Sequence, residues 1–317
     1  MSPPRVAIIT VTYNRSQLLV RAIESVLSQD YPDLRLLVVD DGSTDGTTDV
    51  LEHYQDDPRV EVVRHQTNRG VMAARNTALS LLSDDVTFFG YVDSDDMLLP
   101  GAVRAMVEAI EKRGDRYSMV CAWSQDAATG LPDGRFPLAS GELAFDDYAS
   151  GRLSGDFMEL VRRDLAEGLR YNDKAGGGEG VLLAQLLRMR PALLIADVVQ
   201  LTDRSGKDRV SRVRYDPAYA EGQMWAKQYM VDAIGVDIRR RYPKRYAGLL
   251  ADLARWAAAA GDGRRARIAS REAIRINPSL RTMMIACMAL APAWMAREGI
   301  RALARLRALR APPRAHL

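Results

Sequence analysis

Over its first hundred residues the chain alternates short apolar runs with amphipathic helical patterns, and that alternation leaves few architectures open. The runs 6–11, 34–39, 60–63 and 86–92 read as buried strands bounded by turn residues. Between and after them, 16–29, 45–54, 71–82 and 101–112 carry helical patterns. In the first of these Leu18, Leu19, Ala22, Ile23, Val26 and Leu27 recur at helical spacing, behind Ser16 as an N-cap. Strands separated by helices call for an α/β fold, a mostly parallel sheet with helices on both faces. Ligands of such sheets gather beyond the carboxyl ends of the strands.

Further on the pattern weakens. From 124 to 149 it fades into Gly, Pro and Asp and reads as an active-site loop region inside the fold. Order returns with a strand over 157–161, a helix over 180–188 and a strand over 193–199, and from 217 onward the chain reads as helical. The stretch 249–278 resembles one tetratricopeptide-like hairpin, and a single copy is not a solenoid. The expected organisation is a Rossmann-like domain over 1–215, with halves 1–100 and 101–215, followed by an all-helical appendage over 216–317. With 317 residues, 47% of them hydrophobic, the chain can bury cores for both.

Charge and cysteine content exclude some classes. The 44 Lys and Arg against 41 Asp and Glu leave a formal charge of only +3, which argues against a dedicated nucleic-acid binder. Cys121 and Cys287 offer neither a disulfide framework nor zinc spacing, and Cys121 reads as a core residue. His53, His65 and His316 show no metal-ligand spacing and receive no role. No export leader is legible before the first strand, so a cytoplasmic location is expected. The apolar stretch 283–295 contains Pro292 and is too short to cross a bilayer. With Arg297, Arg301, Arg305, Arg307, Arg310 and Arg314 against the single acid Glu298, it suits an interfacial helix on anionic lipid. The other reading is a helix packed on the tail or joining a homodimer.

Four segments sit where strands are expected to end. Thr12-Tyr13-Asn14-Arg15 offers an aromatic face and a cation, although alone it is a plain polar loop. Asp40-Asp41-Gly42-Ser43-Thr44-Asp45-Gly46-Thr47 offers a carboxylate for an imide hydrogen, or an Asx-rich helix cap. Asn68-Arg69-Gly70-Val71-Met72-Ala73-Ala74-Arg75-Asn76 combines Gly70, which permits close backbone approach, with Arg75 one helical turn inside. Asp93-Ser94-Asp95-Asp96 closes the fourth run, and three carboxylates there suit Mg²⁺ or Mn²⁺ holding a diphosphate, or else form a solvated acidic turn.

In that order and spacing, these four motifs resemble the inverting family 2 glycosyltransferases of the GT-A fold, over residues 5 to 215. The resemblance implies a UDP-sugar donor and a saccharide or lipid-linked glycan acceptor. It implies that Tyr13 and Asp41 contact the nucleobase, that Arg75 supports base or phosphates, and that Asp93 faces the ribose. Thr12, Asn14, Arg15, Gly70 and Ser94 would complete the donor pocket, and Asp95, with Asp96, would bind Mn²⁺ or Mg²⁺. Family members often carry two consecutive acids at a helix start in the acceptor half. Here the matching place reads Gly176-Gly177-Gly178-Glu179-Gly180, leaving Glu179 as the candidate base, ahead of Asp156 and Asp173. As an acid at a helix N-terminus, Glu179 could equally serve the helix dipole. Arg204, Lys207 and Arg209 look like the basic loop that closes over the diphosphate. The rival reading is a noncatalytic nucleotide-sugar binder acting as a scaffold in glycan assembly. A nucleotidyltransferase is less favoured, since no Gly-rich, Lys-bearing triphosphate loop follows the first strand.

Overall fold

The first apolar run forms β1 (Arg5–Thr12), buried from Val6 to Thr10, and the computed structural model builds its sheet outward from this strand. The structure describes residues 2–132, 140–153, 155–203, 216–289 and 291–310, with backbone alone over 303–310. The chain divides into two units, Met1–Asp173 with Glu179–Arg209, and Lys174–Gly178 with Val210–Leu317.

In the first unit, β1 leads through α1 (Ser16–Leu27) to β2 (Leu34–Asp40), α2 (Thr47–Glu52), β3 (Val60–Arg64), α3 (Val71–Leu81) and β4 (Val86–Tyr91). There follow β5 (Met97–Leu98), α4 (Ala102–Glu111), β6 (Met119–Asp126), β7 (Gly141–Leu143), α5 (Phe145–Ser150), β8 (Phe157–Arg162), α6 (Gly180–Met189) and β9 (Ala192–Thr202). The spatial order is β3-β2-β1-β4-β8-β6-β9-β5, with β7 also on β9. From β3 to β4 the strands are parallel, as the sequence leads one to expect. Beyond β4 the sheet is mixed: β8 runs antiparallel to β4 and β6, β6 and β9 are parallel, and β5 and β7 lie antiparallel to β9.

Both faces of β1, β2 and β4 are covered, which is why these strands read as continuous apolar runs. Val6, Ile8, Leu36, Val38, Phe88 and Leu160 share a core with Leu19 and Ile23 of α1 and with Met106 and Ile110 of α4. The intervening Ala7, Ile9, Leu37, Val39 and Phe89 are also buried, on the face where α3 packs against β1 and β2. Small residues on α3, Ala73, Ala74 and Ala78, let that helix lie close. α1 and Gln29 just beyond it also hold the segment behind the acidic motif: Gln29 donates to Leu99 O at 2.9 Å, and Leu98 N donates to Ser25 Oγ at 3.0 Å. Part of the region read as loop is ordered, since β6 runs to Asp126 and β7 and α5 follow.

The second unit consists of α7 (Pro217–Arg241), α8 (Pro243–Ala260), α9 (Gly263–Ile276), α10 (Leu280–Met288), α11 (Ala293–Arg310) and the segment Lys174–Gly178. The expected boundary at 215/216 leaves that segment with the sheet, whereas in the structure it lies along α7. α7 is capped by Asp216, which accepts from Tyr219 N at 2.8 Å. α8 ends at Gly261 (φ +91°), and Asp262 caps α9 by accepting from Arg265 N at 2.8 Å. Among the described residues no helix is long and apolar enough to cross a membrane.

Candidate active site

The four strand-end motifs converge at the carboxyl edge of β1, β2 and β4. After β1, Asn14 turns the chain with φ +52°. It donates its N–H to Ser43 Oγ at 2.9 Å, and its side-chain oxygen accepts from Thr44 N at 2.8 Å, locking this loop to the one after β2. Tyr13 stands 43% exposed, free to present an aromatic face, while Thr12 is buried. Arg15 donates its N–H to Thr47 Oγ1 at 3.2 Å and pairs its guanidinium with Asp95. The first and fourth motifs are thereby joined.

The two aspartates after β2 are both buried and do different work. Asp40 accepts from Ser43 N at 2.9 Å and lies 3.3 Å from Arg64 Nε. Asp41, 2% exposed, accepts from Arg69 N at 2.9 Å and Gly70 N at 2.7 Å, and one of its oxygens is 2.7 Å from His65 Nδ1. The other ring nitrogen of His65 lies 2.9 Å from Thr77 Oγ1 on α3. Asp41 was expected at the nucleobase; in this geometry its oxygens are engaged in holding the turn that leads into α3. His65, given no role from sequence, is part of this clamp. Its place just after β3, beside the third motif, is the signal that was available. Gly70 enters α3 at φ +93° with open space where a side chain would stand.

Arg75 is the electrostatic centre of the site. It is 7% exposed, donates to Asp93 Oδ1 at 3.0 Å, and lies 4.6 Å above the Tyr91 ring and 5.9 Å from that of Tyr171. Burial opposes its charge, but the carboxylates of Asp93 and Glu179 outweigh that cost and raise its pKa further. Tyr171 is tied to α3 by Asn76, which donates to Tyr171 O at 2.9 Å and accepts from Tyr171 N at 2.9 Å. Tyr91 and Tyr171 lie outside the four motifs, so no local sequence signal points to them. Asp173 is engaged by Asn76, and Asp156 is exposed ahead of β8.

The acidic motif is asymmetric. The Asp93 side chain is 60% exposed, Ser94 is buried, and Asp95 lies against Arg15. Asp96 accepts from Gln200 Nε2 at 2.7 Å and Asp203 N at 3.2 Å, so its oxygens anchor the end of β9. Burial first, then the negative charge of Asp93 and Asp95, push the Asp96 carboxyl up to about 8. Among the described residues no three His, Cys, Asp or Glu side chains form a ready metal cage. The donor set nevertheless fits a divalent ion, because Mg²⁺ and Mn²⁺ are commonly held by one or two carboxylates together with substrate phosphates. Carboxylates that crowd one another's charge here supply that chemistry. Arg204, Lys207 and Arg209 lie outside the described residues, immediately after Asp203, which pairs with Arg21 at 2.8 Å.

Glu179 is exposed at the start of α6 and acts electrostatically on both Arg75 and Tyr171. A Cβ on Gly180 would meet the Tyr148 ring and Oη at 3.2 Å, so a second acid there would need Tyr148 to shift by a few tenths of an ångström. One acidic residue of the site carries no motif. Glu159 sits half-buried on β8 opposite Cys121, and burial pushes its carboxyl up to about 8, with Arg75 opposing and Asp156 and Asp93 adding to the shift.

A half-parallel, half-mixed sheet with four motif loops gathered at its carboxyl edge, one of them acidic, has the GT-A fold. Its fold resembles that of S. aureus TarS 1-349 in complex with UDP-GlcNAc (TM-score 0.63, 16% identity, 89% of this chain and 90% of that one). It also resembles the mannosyltransferase PcManGT from Pyrobaculum calidifontis in complex with GDP-Man and Mn²⁺ (TM-score 0.53, 19% identity, 93% and 86%). In sequence the chain is 29% identical over 191 residues to the Campylobacter jejuni GalNAc(5)-diNAcBac-PP-undecaprenol beta-1,3-glucosyltransferase, covering 58% of this chain and 60% of that protein. The chain spans less than two thirds of the length of several curated relatives that it matches. Residues 7–144 match the family model described as Glycosyl transferase family 2.

Proposed function

We propose that this chain is a metal-dependent, inverting glycosyltransferase that moves a sugar from a nucleotide-sugar, a UDP-sugar foremost, to a saccharide or lipid-linked acceptor in bacterial glycan assembly. The observation that carries the reading is the cluster around Arg75, where a buried cation links Asp93 of the donor side with Glu179 of the acceptor side. Tyr13 faces the nucleobase, and the Asp41–His65 clamp shapes the turn beside it. Asp93 takes the ribose, and Arg75 holds charge close to the diphosphate. Asp95 would hold Mn²⁺ or Mg²⁺, with Asp96 behind it; when bound, the ion neutralises charge on the departing nucleoside diphosphate. Glu179 takes the proton from the acceptor hydroxyl as that oxygen attacks the anomeric carbon from the face opposite the leaving group. Neighbours of known structure bind UDP-GlcNAc or GDP-Man with Mn²⁺, which supports a nucleotide-sugar as the ligand class. The exposed Leu280, Met283, Met284, Trp294 and Met295 of the helical unit suit peripheral contact with a cytoplasmic membrane face.

The test is donor turnover. Glu179→Gln should lower kcat by roughly 100-fold or more while leaving UDP affinity intact. Asp95→Ala and excess chelator should each remove turnover. Wild-type-like transfer by Glu179→Gln would take that residue out of the role of base, and intact transfer in chelator would sink the metal assignment. The rival, a noncatalytic binder, is favoured by Gly180 standing where a second acid would be. It predicts UDP binding without turnover of any donor.

A further inference from the structure

Glu159 carries a carboxyl group that the proposed reaction does not use. It stands inside β8 between Met158 and Leu160, whose side chains are buried in the core on the opposite face. Cross-strand pairing fixes the face it shares. Phe89 lies opposite Val161, and two residues further along β4 comes Tyr91, so Glu159, Val161, Phe89 and Tyr91 stand on one side of the sheet. On that side the guanidinium of Arg75 lies 4.6 Å from the Tyr91 ring, and Tyr171 meets the same ring edge-on. These residues, with Asp93 and Glu179, all belong to the first unit. The strand also holds Glu159 firmly: it pairs with Cys121 of β6, and on the other side β8 comes so near β4 that a Cβ on Gly90 would stand 2.4 Å from Glu159 O.

A carboxyl in an apolar strand opposes folding unless it finds a partner. Glu159 is half-buried, and among the described residues its carboxyl makes no ion pair and no hydrogen bond with another residue. Arg75 acts on it as the opposing charge but gives its hydrogen bond to Asp93. The Nε of Arg75, in a side chain only 7% exposed, is buried without a hydrogen-bond partner. An acceptor and a donor that feel one another's charge are thus left unbonded on one face of the sheet. A hydroxyl group suits both, since its hydrogen goes to the carboxyl and its oxygen accepts the N–H. Resting on the reading of this edge as a nucleotide-sugar site, we propose that Glu159 and the Nε–H of Arg75 bind hydroxyl groups of the transferred sugar, and that Glu159 thereby sets which sugar is accepted. The transferred sugar has to reach from the diphosphate beside Asp93 and Arg75 to the base at Glu179. Glu159 acts electrostatically on Asp93 and, together with Glu179, on Tyr171, which places it along that path. A site built to bond a hydroxyl rejects a ligand that lacks it, because its own polar groups are then left unpaired.

The experiment compares Glu159→Leu and Glu159→Gln with the wild-type protein in the full chain, in Mn²⁺. It measures Tm at pH 8, affinity for UDP, affinities for UDP-glucose, UDP-GlcNAc and UDP-galactose, and release of UDP from each. Expected for Glu159→Leu is a higher Tm, because an apolar side chain replaces a carboxyl that burial disfavours. Its UDP affinity should stay within a factor of about two, while kcat/KM falls roughly 10-fold or more for the UDP-sugar that the wild type prefers. Its affinities for the UDP-sugars should converge on that for UDP. Glu159→Gln keeps an acceptor and should retain more of the preference. A residue that served only the fold would move stability and turnover in the same direction, so a lower Tm with lower turnover would overturn the proposal. An unchanged preference among the sugars in Glu159→Leu would also overturn it, as would a loss of UDP affinity equal to the loss for the UDP-sugars, or equal binding of all the ligands by the wild type. If the wild type binds UDP but turns over no donor, the affinities still decide the matter. Failure of the wild type to bind UDP is a different result: it removes the donor reading, and this proposal falls with it.

Discussion

Asp41 illustrates what single residues of this chain disclose and withhold. A sequence of two aspartates followed by Gly-Ser at a strand end marks a ligand edge, but the partners of Asp41 lie 24 to 29 positions away and only the fold supplies them. Because it is buried and accepts two backbone N–H groups, removing it leaves Arg69 N and Gly70 N without their acceptor. Asp41→Ala should therefore lower the unfolding free energy by about 2–3 kcal/mol and slacken the turn into α3, a loss measurable in urea. Glu159 gives a second, pH-dependent test. Its folded pKa is raised from an ordinary 4.5 to about 8, so over that window the native state binds more protons than the unfolded one. The sign follows: its contribution is fully present below about 4.5 and is lost as pH rises toward 8. Glu159→Gln should flatten this decline, raising Tm relative to wild type at pH 8 more than at pH 5. Half-burial leaves the slope shallower than a fully dry site would give. No motif flagged Glu159, because a lone acid in an apolar strand announces itself only once its neighbours are known.

At the scale of elements, the first half of the sheet was legible because β1, β2 and β4 are largely buried on both faces and the strands are separated by helices of clear period. The second half was less so, for physical reasons. β5 and β7 span two and three residues, too few for any period to register. The antiparallel direction of β8 is decided by pairing with β4 and β6, which leaves no mark in its own pattern. That pairing rests on one glycine. A Cβ at Gly90 would stand 2.4 Å from Glu159 O, so β8 could approach β4 no closer than a side chain allows. Gly90→Ala should cost about 3 kcal/mol by forcing the two strands apart, whereas Gly141→Ala, on open space at the start of β7, should be nearly neutral. Equal Tm values for the two variants would contradict this account of the seam.

For the molecule as a whole, the donor side of the proposed site follows from four motifs that a sequence displays in order. The acceptor side rests on Glu179, at a helix start where the next residue is Gly180 and not a second acid. That difference explains why donor class can be read more readily than acceptor identity. It also fixes what should be measured. Purified full-length protein with Mn²⁺ is offered UDP-GlcNAc, UDP-glucose and GDP-mannose in turn, with bacterial membrane extract as the source of acceptor, and nucleoside diphosphate release is followed for the wild type and for Glu179→Gln. The account predicts that one UDP-sugar is turned over by the wild-type protein and that this turnover falls roughly 100-fold or more in Glu179→Gln, with UDP binding preserved. Binding of UDP without turnover of any of the three donors would contradict it and leave a nucleotide-sugar binder in its place.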